Sequence, residues 1–281
     1  MKISKKSYAK INIFLKILGE KDGFHQLESA LAFIDLHDEI SVKKSTKFFL
    51  KIRGEFAEKI NIEENLFTKI LEYFVKNFGI SKNLEINLTK NIPVGAGLGG
   101  GSSNAAEFMK ILNEIFSLKL TKEKLQKISF NFGSDIAFFF ESKASIIKGR
   151  GHIVANIKYF LPIEILLINP NIFLSTKKVF ENFNGNFSQE IATEKLAQEN
   201  IFNLMKDLPN QLEKPAISIV PEIADILKEA KNQGTKITKM SGSGATCFAI
   251  FDEEKIDEVQ KNITKKFPNF FIKKAKILAN V

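Results

Sequence analysis

Between Pro93 and Ala106 the chain runs Pro-Val-Gly-Ala-Gly-Leu-Gly-Gly-Gly-Ser-Ser-Asn-Ala-Ala, with five glycines among residues 95–101. No ordinary turn needs that density. Glycine lets backbone amides come close to an anion, and a following helix adds its unsatisfied N–H groups and partial positive charge. The segment after the loop, Ser102–Phe116, has helical spacing, so a phosphate group is the natural ligand. Ser102 and Ser103 place hydroxyls at the helix start, where they cap the helix or touch a phosphate or its metal ion. Gly95, Gly97 and Gly100 also satisfy G-x-G-x-x-G, but a dinucleotide fold needs a buried parallel strand leading straight into the loop. Here Lys90, Asn91 and Pro93 intervene, and the preceding strand Leu84–Leu88 alternates like a half-exposed one. No G-x-x-x-x-G-K-[ST] occurs. A flexible linker fits poorly with the apolar helix that follows.

Around this loop the first half is strand-rich. Alternation predicts strands over Ile3–Leu18, Leu27–Ile34, Glu39–Lys43 and Phe48–Ile52. Leu66, Ile70, Leu71 and Phe74 recur at helical spacing from Asn65 to Phe78, with Gly79 as the C-cap. Thr121, with Glu123 and Lys124, opens a further helix expected to reach Gly133. The second half has another rhythm: a strand Ile163–Ile168, helices through about Phe183, Leu208 and Lys231, and strands Ile237–Met240 and Thr246–Phe251 around a second glycine loop. A helix Glu253–Lys265 and a strand Phe270–Ile277 complete an order like a split β-α-β unit. We expect two α/β domains, 1–155 and 156–281, that meet near Gly149–Ala155 and leave a cleft for substrate.

The balance is basic, with a formal net charge of +9, but the excess is lysine scattered along the chain, and Arg53 and Arg150 are its two arginines. Base readout favours arginine forks and clustered patches, so a nucleic-acid partner is not expected. The apolar residues of the N-terminal stretch alternate instead of forming a signal or membrane run, so the expected location is cytoplasmic and no membrane partner is expected. The single cysteine, Cys247, excludes an internal disulfide, argues against a zinc site and reads as a buried strand residue.

The loop resembles the second motif of the galactokinase, homoserine kinase, mevalonate kinase and phosphomevalonate kinase (GHMP) superfamily. Three more matches stand in the expected order: Ala9-Lys10-Ile11-Asn12 with Gly23-Phe24-His25, then Gly133-Ser134-Asp135, then Ser241-Gly242-Ser243-Gly244-Ala245-Thr246-Cys247-Phe248. The resemblance implies a two-domain fold, its N-terminal half like ribosomal protein S5 domain 2 and its C-terminal half ferredoxin-like. It also implies ATP as co-substrate with Mg2+. Glycine triplets followed by Ser-Ser-Asn mark the branch that phosphorylates the 2-hydroxyl of a cytidine diphosphate-linked methylerythritol in the non-mevalonate isoprenoid pathway.

Roles follow from the resemblance position by position. Asp135 would orient or deprotonate the hydroxyl, although local sequence alone favours a helix cap. Lys10, otherwise a solvated strand lysine, would sit beside it and stabilise the transferring group. Pro93, Gly95, Gly97, Leu98, Gly99, Gly100, Gly101, Ser102, Ser103 and Asn104 would wrap the ATP phosphates, with Asn65, Leu66 and Lys90 at the adenine pocket. Asn12 would touch the acceptor, with Thr176, Ser241, Gly242, Ser243 and Gly244 on the substrate side. His25 would bond the cytosine edge, with Phe24 stacking on one face of the ring and Phe180 on the other. Position 24 is often tyrosine in the family, so phenylalanine keeps the stack and lacks a hydroxyl. His37 and His152 match nothing functional. Homoserine kinase is the main rival and would lack both the Gly-Phe-His turn and the triple glycine. A non-catalytic paralogue would have lost Lys10 or Asp135, and an RNA-binding module would show salt-dependent RNA affinity without ATP turnover.

Overall fold

Asp22-Gly23 reverses the chain between two long strands in only two residues, and both take left-handed backbone angles, φ 52° and 73°. A two-residue Asp-Gly turn of this kind matches the twist of the strands it joins, β1 (Lys2–Lys21) and β2 (Phe24–Lys44). Sequence alternation predicts two strands where β2 is one, because the polar run Asp35-Leu36-His37-Asp38 resembles a break. The structure, a computed structural model, describes residues 2–60, 65–158 and 162–281. It divides into two compact units: Met1–Ala9, Leu36–Val94 and Gly99–Ser142 form the first, and Lys10–Asp35, Gly95–Leu98 and Lys143–Val281 the second.

In the first unit Glu39–Lys44 of β2 pair antiparallel with β4 (Leu84–Thr89), which pairs in parallel with β3 (Phe49–Arg53). Leu84, Ile86 and Leu88 are buried while Glu85, Asn87 and Thr89 are half-buried, as period-two alternation requires. Helix α1 (Leu66–Phe78) buries Phe67, Ile70, Leu71 and Phe74, and the Phe67 ring meets Phe108 of α2 (Gly100–Ile115) edge-on at 4.9 Å. The Asn65 side chain caps α1 at the Phe67 N–H, and Gly79 closes it in the left-handed region. Helix α3 (Lys122–Ser129) stops short of the expected Gly133. Its last carbonyls are taken by side chains, Ser129 Oγ on Gln126 O and Asn131 Nδ2 on Ile128 O, and a 3-10 helix Ser134–Phe140 follows.

Asp38 explains the apparent break in β2. Its carboxylate is fully buried and accepts from Lys90 Nζ at 2.5 Å, Asn91 N at 2.6 Å, Ile92 N at 2.9 Å and Asn104 Nδ2 at 2.9 Å. One side chain thereby fixes the residues entering the glycine loop and the first turn of α2. Lys90 is 3% exposed, and burial pushes its ammonium below the usual lysine range while Asp38 opposes that shift.

In the second unit the hairpin of β5 (Ser145–Gly149) and β6 (His152–Asn156) pairs with Leu27–Leu31 of β2. Further on, β7 (Ile163–Asn169), β8 (Ile237–Met240), β9 (Cys247–Ile250) and β10 (Phe271–Ile277) lie in the spatial order β10-β7-β9-β8, each neighbouring pair antiparallel. This is the ferredoxin-like arrangement, with α4 (Thr176–Glu181), α5 (Thr193–Gln198), α6 (Ile201–Asp207) and α7 (Glu213–Ile219) inserted after β7. Helices α8 (Glu222–Asn232) and α9 (Ile256–Lys266) bury Ile223, Ile226, Val259 and Ile263 against Leu166, Ile168, Cys247 and Ala249. Cys247 is buried as expected, and burial raises its thiol pKa. Among the described residues no helix is long and apolar enough to cross a membrane.

Replacing Asp38 by alanine strands a buried ammonium and two N–H groups, so Asp38→Ala is expected to destabilise the protein by about 3–5 kcal/mol in urea unfolding. The double variant Asp38→Ala/Lys90→Met should recover part of that loss. A single variant with an unchanged midpoint would show that the network contributes nothing.

Candidate active site

Lys10 lies in β1 at 4% exposure, which removes the reading of a solvated strand lysine. Its Nζ donates to Asn12 Oδ1 at 2.6 Å and to Gly97 O at 2.8 Å, and its N–H donates to Leu98 O at 3.0 Å. The first glycine loop is thus tied to Lys10 by both backbone and side chain. Asn12 Nδ2 donates to Ser29 Oγ at 2.9 Å, and Asn12 N donates to Ser241 Oγ at 3.2 Å. Ser241 Oγ in turn donates to Gly97 O at 3.0 Å. A Cβ on Gly97 would come within 2.2 Å of Ser241 O and 2.9 Å of Gly244 O, so the two glycine loops touch backbone to backbone. Ser243 Oγ, behind that contact, shares a 2.8 Å hydrogen bond with Thr176 Oγ1 at the start of α4.

An aromatic group lies in the same unit. The His25 ring stacks on Phe180 with centroids 5.3 Å apart and meets Phe183 edge-on at 5.9 Å. Phe24 instead carries the Arg150 guanidinium 3.8 Å above its ring. Phe24 remains 49% exposed, an apolar face open to a ligand. Sequence reading brings Phe24, His25 and Phe180 to one base; in the structure His25 and Phe180 are paired with each other and Phe24 with Arg150.

The first unit holds the other residues. Gly99, at φ 68°, is the N-cap of α2, so its left-handed backbone turns the loop into the helix, whose first-turn N–H groups lack intrahelical partners. A Cβ on Gly101 would meet nothing within 4 Å, whereas on Gly100 it would lie 2.9 Å from Lys90 Nζ. Ser103 is 2% exposed and accepts from Ser7 Oγ at 2.8 Å, while Ser102 is half-buried. Asn104 Nδ2 donates to Ser7 Oγ and Asp38 Oδ2, both at 2.9 Å, so Lys90 and Asn104 brace the loop from inside. Pro93 is buried just ahead of the loop, and Asn65 and Leu66 stand half-buried at the N-terminus of α1. Asp135 is exposed at the first turn of its 3-10 helix. Asp38, Ser29 and Arg150 belong to no motif legible along the chain; the one hint is a charged residue, Asp38, at an apolar register position of β2.

Comparison with known proteins matches this architecture. A family description, "GHMP kinases N terminal domain", fits residues 65–143, and "GHMP kinases C terminal" fits residues 192–269. A protein of Wolbachia sp. subsp. Drosophila simulans (strain wRi), named 4-diphosphocytidyl-2-C-methyl-D-erythritol kinase, is 34% identical over 95% of this chain and 96% of its own. One of the same name from Thermodesulfovibrio yellowstonii is 36% identical over 89% and 90%. The crystal structure of a 4-(cytidine 5'-diphospho)-2C-methyl-D-erythritol kinase superposes with a TM-score of 0.76 over 97% of this chain and 99% of that one, at 23% identity, a likeness of fold. Identity above 30% over 89–95% of the chain, with both family descriptions matched in order, shows that the chain belongs to the GHMP kinases, among the relatives named 4-diphosphocytidyl-2-C-methyl-D-erythritol kinase.

Proposed function

We propose that this protein transfers the γ-phosphoryl group of ATP to the 2-hydroxyl of 4-diphosphocytidyl-2-C-methyl-D-erythritol, a cytoplasmic step of the non-mevalonate isoprenoid route. The observation that carries this reading is the 34% and 36% identity to relatives of that name over 95% and 89% of the chain. In the reaction the acceptor oxygen bonds to the γ-phosphorus as the bond from that phosphorus to the bridging oxygen breaks. ADP leaves with the electron pair, and the hydroxyl proton passes to Asp135. The Lys10 ammonium, oriented by Asn12 and Gly97, offsets charge on the transferring group. The amides of Gly99–Ser102, opening a helix of 16 residues, suit the ATP phosphates.

Asn65 and Leu66 are assigned to the adenine side. Mg2+ would come with the triphosphate and neutralise its charge. Ser102 fits as a hard oxygen donor, and among the described residues no group of three His, Cys, Asp or Glu offers a fuller set. Phe24, His25 and Phe180 are assigned to the cytosine. His25 would leave the Phe180 face when the base stacks there and then bond the base edge, while Asn12, Thr176 and the Ser241–Gly244 loop meet the rest of the substrate.

A coupled ADP-release assay tests the whole reading: turnover with the cytidyl-capped polyol, and none with homoserine or mevalonate, is expected. Asp135→Asn should fold and bind ATP yet lose about 10²–10⁴ in kcat; near-normal kcat would remove Asp135 from the chemistry. Gly101→Val, whose Cβ would meet nothing within 4 Å, should stay folded and raise KM for ATP about tenfold or more, with KM for the capped substrate little changed. Unaltered ATP affinity would place the phosphates elsewhere. Comparing kcat/KM for cytidine- and uridine-capped substrates, Phe180→Ala should weaken both by about 1–3 kcal/mol. His25→Ala should narrow the gap between them, and an undiminished cytidine preference would mean that another residue reads the base.

A further inference from the structure

The glycine loop that touches Lys10, Asn12 and Gly97 is held from its other side by a segment with no assigned role, Asn210–Glu213. Asn210 is 8% exposed, and its Nδ2 donates to Met240 O and Gly242 O, both at 2.8 Å. Its Oδ1 accepts from Leu212 N at 3.0 Å, so the amide spends both donors and its acceptor on backbone. Three residues later Glu213 Oε2 accepts from Met240 N at 3.1 Å. The two polar backbone groups of Met240 are therefore pinned by two side chains. The segment is itself anchored on β1, where Leu15 N donates to Pro209 O at 3.0 Å and Gln211 N donates to Leu15 O at 2.8 Å. Lys239 Nζ adds a bond to Leu208 O, so the residue before Met240 is tied to the same segment.

This arrangement does more than satisfy a turn. Beyond Met240 the loop turns at Gly242, φ 58°, where a Cβ would stand 3.0 Å from Asn12 Oδ1 and 3.2 Å from Lys10 Nζ. Ser241 Oγ, one residue earlier, is an acceptor for Asn12 N and a donor to Gly97 O. A shift of the loop would carry Ser241 with it and loosen the acceptors that orient Lys10. We propose that Asn210 and Glu213 are positioning residues: together they clamp the Met240–Gly242 backbone so that Lys10 and Asn12 keep their reactive geometry. The effect on turnover rests on the kinase reading above, whereas the clamp itself rests on the hydrogen bonds. Burial raises the Glu213 carboxyl pKa, with the Met240 N–H opposing, so a neutral amide is a mild replacement there.

Steady-state kinetics on the full chain, with ATP and the cytidyl-capped polyol, test the clamp. Asn210→Asp keeps the acceptor for Leu212 N but points an oxygen at two carbonyls. In protein shown by circular dichroism to be folded at the assay temperature, its kcat should fall about 10–100-fold, since misplacement near 1 Å costs on that order. KM for ATP should stay within about threefold, while KM for the capped substrate rises with displacement of the loop assigned to meet it, so the fall in kcat is the readout that decides. Glu213→Gln retains an acceptor for Met240 N and should keep kcat within about twofold, whereas Glu213→Leu should fall with Asn210→Asp. If Asn210→Asp does not fold, the Glu213 pair decides. Folded Asn210→Asp or Glu213→Leu with wild-type kcat, a loss carried by KM alone, or equal losses in Glu213→Gln and Glu213→Leu would overturn the proposal. Wild-type turnover of another acceptor in place of the capped one would overturn the acceptor assignment alone, and the same kcat losses read with that acceptor would still support or overturn the clamp.

Discussion

The carbonyl oxygen of Gly97 is where the second unit converges. It accepts from the Lys10 ammonium at 2.8 Å and the Ser241 hydroxyl at 3.0 Å, while the absent Gly97 side chain lets Ser241 O and Gly244 O close in. That contact leaves no volume for a Cβ on Gly97, and at Gly242 a Cβ would crowd Asn12 Oδ1 at 3.0 Å and Lys10 Nζ at 3.2 Å on a left-handed backbone, so glycine suits both positions. Everything near Lys10 inherits its position from that contact. Asn12 is oriented by Lys10, Ser29 and Ser241, and Ser241 belongs to the loop that Asn210 and Glu213 hold.

Buried charge is the second organising expense. Lys10, Lys16 and Lys90 are all buried in a chain that otherwise displays lysine at its surface, and desolvating each ammonium costs several kcal/mol unless partners surround it. Lys16 has Glu28 at 2.7 Å, and Glu28, fully buried, also meets Lys148 at 3.3 Å. Lys90 has Asp38 at 2.5 Å. The Glu28 group ties β1, β2 and β5 to the segment around Ile191, whose N–H it accepts at 3.0 Å. The Asp38 group fixes the entry to the first glycine loop. Exposed pairs such as Lys177–Glu181 at 3.8 Å add little by comparison.

Much of this was legible along the chain. Helix α1, with its Asn65 cap and Gly79 stop, and strand β4, with its strict alternation, follow from local rules because their stabilising contacts repeat at fixed spacing. The glycine loop ahead of α2 was legible because close backbone approach is a property of glycine alone. The continuity of β2 and the early end of α3 were missed because each depends on a side chain whose partner lies outside the local pattern. Asp38 reads as a strand breaker until Lys90, 52 positions away, is brought to it. Asn131 ends α3 by taking a carbonyl that helix periodicity assigns to the next turn.

The site divides along the same line. Sequence alone determined which residue types are present: a glycine-rich loop before a helix, a lysine in an alternating strand, an aspartate after a helix and a Phe-His turn. Their register with a known family then supplied the roles. Only the tertiary structure decided that Lys10 is buried with its charge on Gly97 O, that Ser103 turns inward to Ser7, that His25 rests on Phe180, and that Asn210 supports the second loop. Those facts rest on pairs such as Ser7–Ser103, 96 residues apart, and Asn12–Ser241, 229 apart. Hydrogen bonds and ring contacts at that separation leave no periodic trace, because their partners are chosen by how sheets and loops pack and not by spacing along the chain.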